Sequence, residues 1–218
     1  SVSTNAISEM METKASSLTD ILKKLAEKDL VNYKEYQGVS LTENGNLAAK
    51  MIVRKHRLWE VFLVEKLDFS WDEVHDIAEQ LEHIKSEKLI NKLDDFLGNP
   101  TKDPHGDPIP NAQGSMVTIE KQLLSELQEH QSGICVGVKD NSSEFLKYLD
   151  KQKIALGTEI KVLTKEAFDL SLKIKVTDWK FAKEKIETER ESVTRDKVKL
   201  HKTIIYAPTK PSEITMSG

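Results

Sequence analysis

Six side chains set along two predicted helices could carry the chemistry of this chain: His56 and Glu60, then His75, Glu79, Glu82 and His83. An α-helix turns roughly 100° per residue, so His56 and Glu60 stack one turn apart. The later four project within an arc of roughly 100°. Imidazole nitrogens and carboxylate oxygens converging from two helices suit a divalent transition metal. A mixed nitrogen and oxygen set without thiolate leans toward manganese or ferrous iron over a structural zinc. The bland explanation is a solvated polar helix face, since 31% of residues are charged. Six residues at ligand spacing, holding three of the six histidines, argue against it. His105, His130 and His201 lie outside the pattern and read as ordinary residues.

The elements that must position these donors are legible as apolar periodicity. A long helix is expected from Leu47 to Leu67, with Met51, Ile52, Leu58, Trp59, Phe62 and Leu63 supplying apolar surface. Asp68-Phe69-Ser70 breaks it, and Ser70 is expected to cap a helix from Trp71 to Ile84. A third helix runs from Ser86 to Leu97. These faces exceed what a small winged helix buries, which suggests a helical dimer interface, the alternative being one intramolecular core.

Upstream, a short helix at Ala6 to Met11 and a second from Leu18 to Lys28, capped by Ser16 and Ser17, suit a helix-turn-helix. Leu30 to Leu41 gives two extended pieces about a turn, the wing of a winged helix. Lys14, Ser16, Ser17, Thr19, Asp20 and Lys23 would then face DNA, and Tyr33, Lys34, Tyr36 and Gln37 of the wing would reach backbone or minor groove. Hydroxyls and lysines mainly position phosphates, while Asp20 could accept from a cytosine amino group. Between Lys14 and Gln37 five lysines meet four acids, a weak basic footprint.

The 218 residues carry a net charge of -4, which does not advertise nucleic-acid binding. Any DNA affinity would come from a local surface and would be salt-sensitive. No apolar run approaches the roughly 20 residues of a membrane span, and no signal peptide is visible, so the compartment reads as cytoplasmic. The one cysteine, Cys135, sits in an apolar run and reads as a buried small residue.

Gly98 to Gly114 holds Pro100, Pro104, Pro108 and Pro110 with three glycines, the clearest domain boundary. Leu124 to Val176 reads as a small β-rich unit with one short helix at 145–149. Thr177 to Leu200 is dominated by Lys and Glu and takes no assignment from its pattern. Pro208 to Gly218 is expected to be a disordered tail.

At this point the chain resembles the diphtheria-toxin-repressor/manganese-transport-regulator (DtxR/MntR) family of metal-dependent repressors. The carrying segments are Lys14 to Gly45, Val53 to Glu60, Val74 to His83, and Pro104-His105-Gly106-Asp107-Pro108-Ile109-Pro110. Leu124 to Val176 is similar to the SH3-like (FeoA-type) third domain of longer members. The resemblance implies a mainly α protein with small β parts: a winged helix-turn-helix (1–46), a helical metal-binding and dimerisation domain (47–114), an SH3-like β-barrel domain (115–207) and a tail (208–218).

It also implies a homodimer, with Mn²⁺ or Fe²⁺ as corepressor metal, that binds palindromic double-stranded operator DNA and represses metal-uptake genes. His56, Glu60 and His75 fall on the ancillary metal site, and Glu79, Glu82 and His83 on the primary one. Iron-type members often carry Cys where this chain has Glu79, so the carboxylate leans toward manganese. Glu144 and Asn141 match side chains that the third domain can lend to the ancillary site. Two departures accompany the match. The chain starts where the family's second helix would be, leaving the first helix and its acidic or Met ligand outside it. Asp178 to Lys202 does not read as the family's closing strand. Two rival readings are a carboxylate-bridged dimetal enzyme, which would leave the winged helix unexplained, and a winged-helix regulator of an organic ligand.

Overall fold

A computed structural model describes residues 1–34, 37–117, 120–168, 171–177, 192–198 and 203–206. Tyr36 of the expected wing and the expected tail at 208–218 lie outside the described residues. Helices dominate the first half of the chain and a small antiparallel sheet the second.

The chain opens with α1 (Thr4–Met10), capped by the Ser3 hydroxyl, and α2 (Ala15–Glu27). The start of α2 corrects the expected cap: Lys14 precedes it without a side-chain cap bond, and Ser16 and Ser17 lie in its first turn. Burial rather than capping sets this start, because Leu18 and Leu22 are 2% and 4% exposed. They form a core with Val31 and Val39 of a hairpin, β1 (Val31–Lys34) and β2 (Gly38–Leu41). The hairpin pairs antiparallel from Val31↔Leu41 to Lys34↔Gly38, and Val2 bridges to Val39 at its edge.

The long helix α3 (Glu43–Leu67) starts four residues before the apolar pattern does. The Thr42 hydroxyl explains this: it accepts from Gly45 N at 2.9 Å and donates to the Asp29 carbonyl at 2.6 Å. The same contacts pin the helix to the end of the winged unit. A Cβ at Gly45 would meet the Leu30 carbonyl oxygen at 1.8 Å, a backbone atom that cannot swing away. Gly45→Ala should therefore destabilise this junction by about 2–3 kcal/mol. Calorimetry should show the loss as an earlier melt, and an unchanged melt would mean that the helix start can shift freely.

Asp68 ends α3 in the left-handed conformation, φ 57°. The next helix, α4 (Val74–Glu82), begins three residues later than expected. Glu73 Oε2 accepts from both the amide and the hydroxyl of Ser70, so this pair folds the 70–73 turn instead of capping a helix at Trp71. Ser86 caps α5 (Glu87–Phe96) by accepting from Leu89 N. Leu58, Trp59, Val61 and Leu63 of α3, Val74 and Ala78 of α4, Ile90 and Leu93 of α5, and Ile109 of the proline-rich loop make one core.

Beyond that loop come β3 (Gln122–Leu123), β4 (Ser132–Val138), α6 (Ser143–Lys151), β5 (Glu159–Lys165), β6 (Leu172–Thr177), β7 (Ser192–Val198) and β8 (Thr203–Tyr206). The strands form one antiparallel sheet in the order β3-β8-β4-β5-β6-β7. Leu146 and Leu149 of α6 pack on Ile160, Val162, Leu172 and Ile174 of the sheet. Cys135 is fully buried there, and burial pushes its thiol up to about 11. The expectation that Asp178 to Lys202 lacks a closing strand is corrected: β7 lies within it and pairs with β6, and β8 follows to pair with β4.

Candidate metal centre

Packing of α3 against α4 brings four of the six expected donors together. His56 Nε2 lies 3.0 Å from Glu60 Oε1 and 3.2 Å from His75 Nδ1, while His56 Nδ1 lies 2.8 Å from Glu82 Oε2. Glu79 lines the same cleft of about 400 Å³. His83 sits one residue past the end of α4, exposed, and is not among the lining residues. Asn141 reaches the cleft wall from the C-terminal unit, whereas Glu144, exposed in the first turn of α6, does not.

The proline-rich loop adds donors that the sequence reading treated as ordinary. His105 is 4% exposed, with Nδ1 3.7 Å from Glu60 Oε1, and Asp103 is 5% exposed beside it. Glu60 thus belongs to two groups close enough to hold an ion: His56–Glu60–His75, and the wholly buried Glu60–Asp103–His105. Arg57 fixes the loop to α3. Its Nε lies 3.2 Å from Asp103 Oδ2, its Nη2 3.1 Å from Asp107 Oδ2, and its Nη1 donates to the Pro108 carbonyl. Asp103 Oδ1 accepts from the backbone N–H groups of His105 and Asp107, which shapes the turn. The available signal was Asp-Pro-His-Gly-Asp, oxygen and nitrogen donors separated by a proline and a glycine that set a turn. Helical periodicity is silent on such a loop.

The protonation chemistry fits a cation. His105 Nε2 faces the Trp71 carbonyl at 2.7 Å, an acceptor only, so Nε2 keeps its hydrogen. Nδ1 then carries either a proton toward Glu60 or a lone pair for an ion. Burial opposes ionisation of Glu60, but hydrogen bonds from His105 and His56 override it and bring its pKa down to about 2. For Asp103 burial dominates, the Glu60 charge adds to it, and the pKa rises to about 6 despite Arg57 and the backbone donors. Burial also works against a charge on His56, yet Glu60 and Glu82 outweigh it and hold the group above 6.5. Carboxylates crowded with partly protonated imidazoles form a donor set that a divalent cation would complete by displacing protons.

Most of the residues expected to meet DNA are exposed on the winged unit. Lys14, Ser16, Ser17, Asp20 and Lys23 are exposed on or beside α2, as are Lys34 and Gln37 on the hairpin. Thr19 is half-buried and donates to the Ala15 carbonyl at 2.9 Å, and Tyr33 leans on the winged-helix core.

A winged helix joined by one continuous helix to a nitrogen and oxygen donor set defines a class, the metal-responsive DNA-binding proteins. The comparisons with known proteins make this specific. Residues 1–39 match the iron dependent repressor N-terminal DNA binding domain, 42–111 the iron dependent repressor metal binding and dimerisation domain, and 122–182 the FeoA domain. A solved structure of a manganese-dependent transcriptional repressor in complex with manganese is 32% identical at a TM-score of 0.77, covering 94% of this chain and 91% of that one. The chain belongs to the iron-dependent repressor family of metal-dependent transcriptional regulators.

Among curated proteins, the iron-dependent repressor IdeR of Mycobacterium leprae is 32% identical over 136 residues, 61% of this chain and 59% of that protein. A probable metal transport system membrane protein of Chlamydia trachomatis is 45% identical over 86 residues, 39% of this chain and 19% of that protein. The chain therefore spans from about a fifth to three fifths of these curated relatives. The family consists of repressors rather than enzymes, which disfavours the dimetal-enzyme reading. Among the described residues no helix is long and apolar enough to cross a membrane.

Proposed function

We propose that this protein is a Mn²⁺- or Fe²⁺-dependent transcriptional repressor that uses the metal as corepressor. It would act in the cytoplasm as a homodimer on palindromic operator DNA of metal-uptake genes. The observation that carries the reading is the convergence of His56, Glu60, His75 and Glu82 within 3.5 Å contacts across α3 and α4. The metal ligands in this reading are His56, Glu60, His75, Glu79, Glu82 and His83, with Asp103 and His105 joining Glu60 as a buried set. Asn141, at the cleft wall, is the better candidate than Glu144 for a ligand lent by the C-terminal unit. The organisation would be a winged helix (1–46), a metal-binding and dimerisation domain (47–114) and an SH3-like domain (115–207).

A bound divalent ion supplies positive charge and a fixed coordination shell between α3 and α4. Everything else is the work of the chain. Glu60, Glu79 and Glu82 repel one another, and without an ion that repulsion is offset between α3 and α4 by His56, which bridges Glu60 and Glu82. Because α3 continues into the junction at Thr42, its pose governs where α2 and the hairpin sit in each half of a dimer. Half-sites one DNA turn apart accept only one such spacing. Lys14, Ser16, Ser17 and Lys23 would contact phosphates, Asp20 a base edge, and Lys34 and Gln37 the flanking backbone, with Thr19, Tyr33 and Tyr36 in support. A bias of about 1–3 kcal/mol between the two poses is enough for a 5–150-fold response.

Fluorescence anisotropy on a palindromic promoter fragment tests this reading with Mn²⁺, Fe²⁺ or chelator. Binding should require metal and should fall about 100-fold in His83→Ala if that side chain is a ligand. Binding indifferent to chelator would overturn metal control.

A further inference from the structure

The helical unit and the C-terminal unit meet at the proline-rich loop, which carries His105 of the metal centre, and at the 70–73 turn packed against that loop. Three residues on one face of α6 grip the turn at positions i, i+4 and i+7. Ser143 Oγ donates to Asp72 Oδ2 at 3.2 Å, Lys147 Nζ pairs with the same oxygen at 3.3 Å, and Asp150 Oδ2 accepts the Trp71 indole N–H at 3.2 Å. The Trp71 ring packs against the C-terminal core and stacks on the His105 imidazole with centroids 6.3 Å apart. Its backbone carbonyl takes the His105 Nε2–H at 2.7 Å. From the other side the His105 carbonyl accepts the Val138 amide at 3.0 Å, and a Cβ at Gly106 would meet the Val136 carbonyl oxygen at 2.0 Å.

From this chain of contacts, and resting on the proposed metal-dependent function, we propose that Trp71 is a positioning residue coupling dock and metal site. It locks His105 Nδ1 toward Glu60 only while the C-terminal unit is docked on the helical unit. The physical argument is tautomeric. A neutral imidazole presents Nδ1 as a ligand only if Nε2 keeps the hydrogen, and the Trp71 carbonyl enforces that choice. That carbonyl stays in place because the indole is anchored to Asp150 and the neighbouring Asp72 to Ser143 and Lys147. Undocking releases the turn, frees the tautomer and removes a pre-aimed ligand. Coupling between two equilibria is reciprocal, so metal must in turn tighten the dock.

The experiment compares the full chain with Trp71→Phe, Trp71→Ala and Asp150→Ala. Mn²⁺ affinity is read by isothermal titration, the His105 tautomer by ¹⁵N NMR, and docking by hydrogen exchange at the Val138 amide. Mn²⁺ should slow Val138 exchange in the unmodified chain. Trp71→Ala should weaken Mn²⁺ binding about 10-fold and shift His105 toward a mixed tautomer. Trp71→Phe and Asp150→Ala remove the same hydrogen bond, so each should weaken binding by a smaller, equal factor and their combination by no more than one alone. They carry the test if Trp71→Ala fails to fold. Unchanged Mn²⁺ affinity in these variants alongside faster Val138 exchange would overturn the coupling, as would Val138 exchange indifferent to Mn²⁺. An unmodified chain that binds no Mn²⁺ would instead refute the proposed function beneath it.

Discussion

Glu60→Gln should reduce Mn²⁺ affinity by about 100-fold or more and abolish metal-dependent operator binding. No other side chain belongs to both donor groups among the described residues, since Glu60 meets His56 and His75 on one flank and Asp103 and His105 on the other. The change is nearly isosteric, so the cleft keeps its shape while losing the one ionised oxygen that both groups share. It also removes a partner that His56 shares with Glu82, and His105 with Asp103 and the Trp71 carbonyl, in keeping their pKa above the ordinary value. Isothermal titration and anisotropy measure the two losses, and a thermal melt in chelator checks folding. Near-native Mn²⁺ affinity in a folded Glu60→Gln protein would reduce Glu60 to a structural partner.

Acid should weaken metal binding steeply between pH 7.5 and 5.5, by up to roughly 100-fold for each proton the ion displaces, because each displaced proton contributes about tenfold per pH unit. His56 and His105 are both raised above 6.5, and Asp103 takes up a proton near pH 6. The metal-free fold should trend the other way. The raised histidines favour it below 6.5, and that contribution fades as pH rises through their folded values. Asp103, raised from 3.8 to about 6, likewise favours the fold in acid, fully below 3.8, and loses that contribution as pH climbs from 3.8 to 6. Glu60, lowered from 4.5 to about 2, contributes above 4.5 and loses its effect only as pH falls toward 2. Melting curves in chelator should therefore peak near pH 4, where the gain from Glu60 and the loss from Asp103 balance, whereas Mn²⁺ should raise the melting temperature most above pH 7. Parallel curves with and without Mn²⁺ would contradict this assignment of protons.

The sequence made the helical donors readable because helix geometry converts spacing into direction. His56 and Glu60 at i, i+4 do face the cleft together, and His75 and Glu82 meet them from α4. What the pattern missed is instructive. His105 contacts Glu60, 45 positions earlier, through a loop whose conformation comes from Arg57 and the Asp103 carboxylate, so no local period announces it. The start of α3 was misplaced because three polar residues and a glycine, Glu43 to Asn46, lie ahead of the apolar stripe, and a single hydroxyl at Thr42 decides the boundary. Ser16 and Ser17 have the chemistry of caps, yet burial of Leu18 and Leu22 set the helix start instead. The strands β7 and β8 lie in or after a run of charge and are specified by pairing with β6 and β4, which composition does not encode. The winged unit and the apolar faces around Leu58 and Leu93, by contrast, followed from periodicity alone.

The unbroken helix from Thr42 to Leu67 has a bearing on how such a chain can change over time. Fourteen positions separate the cap from His56, close to four full turns at 3.6 residues each. Losing or gaining one residue there would swing the winged unit by about 100° about the helix axis relative to the donors. Either unit could still fold, but the phase between reading head and ion would be lost. A change in length within this segment should therefore cost function while leaving both units folded, so the segment behaves as a clocked axle whose residue count is set by geometry.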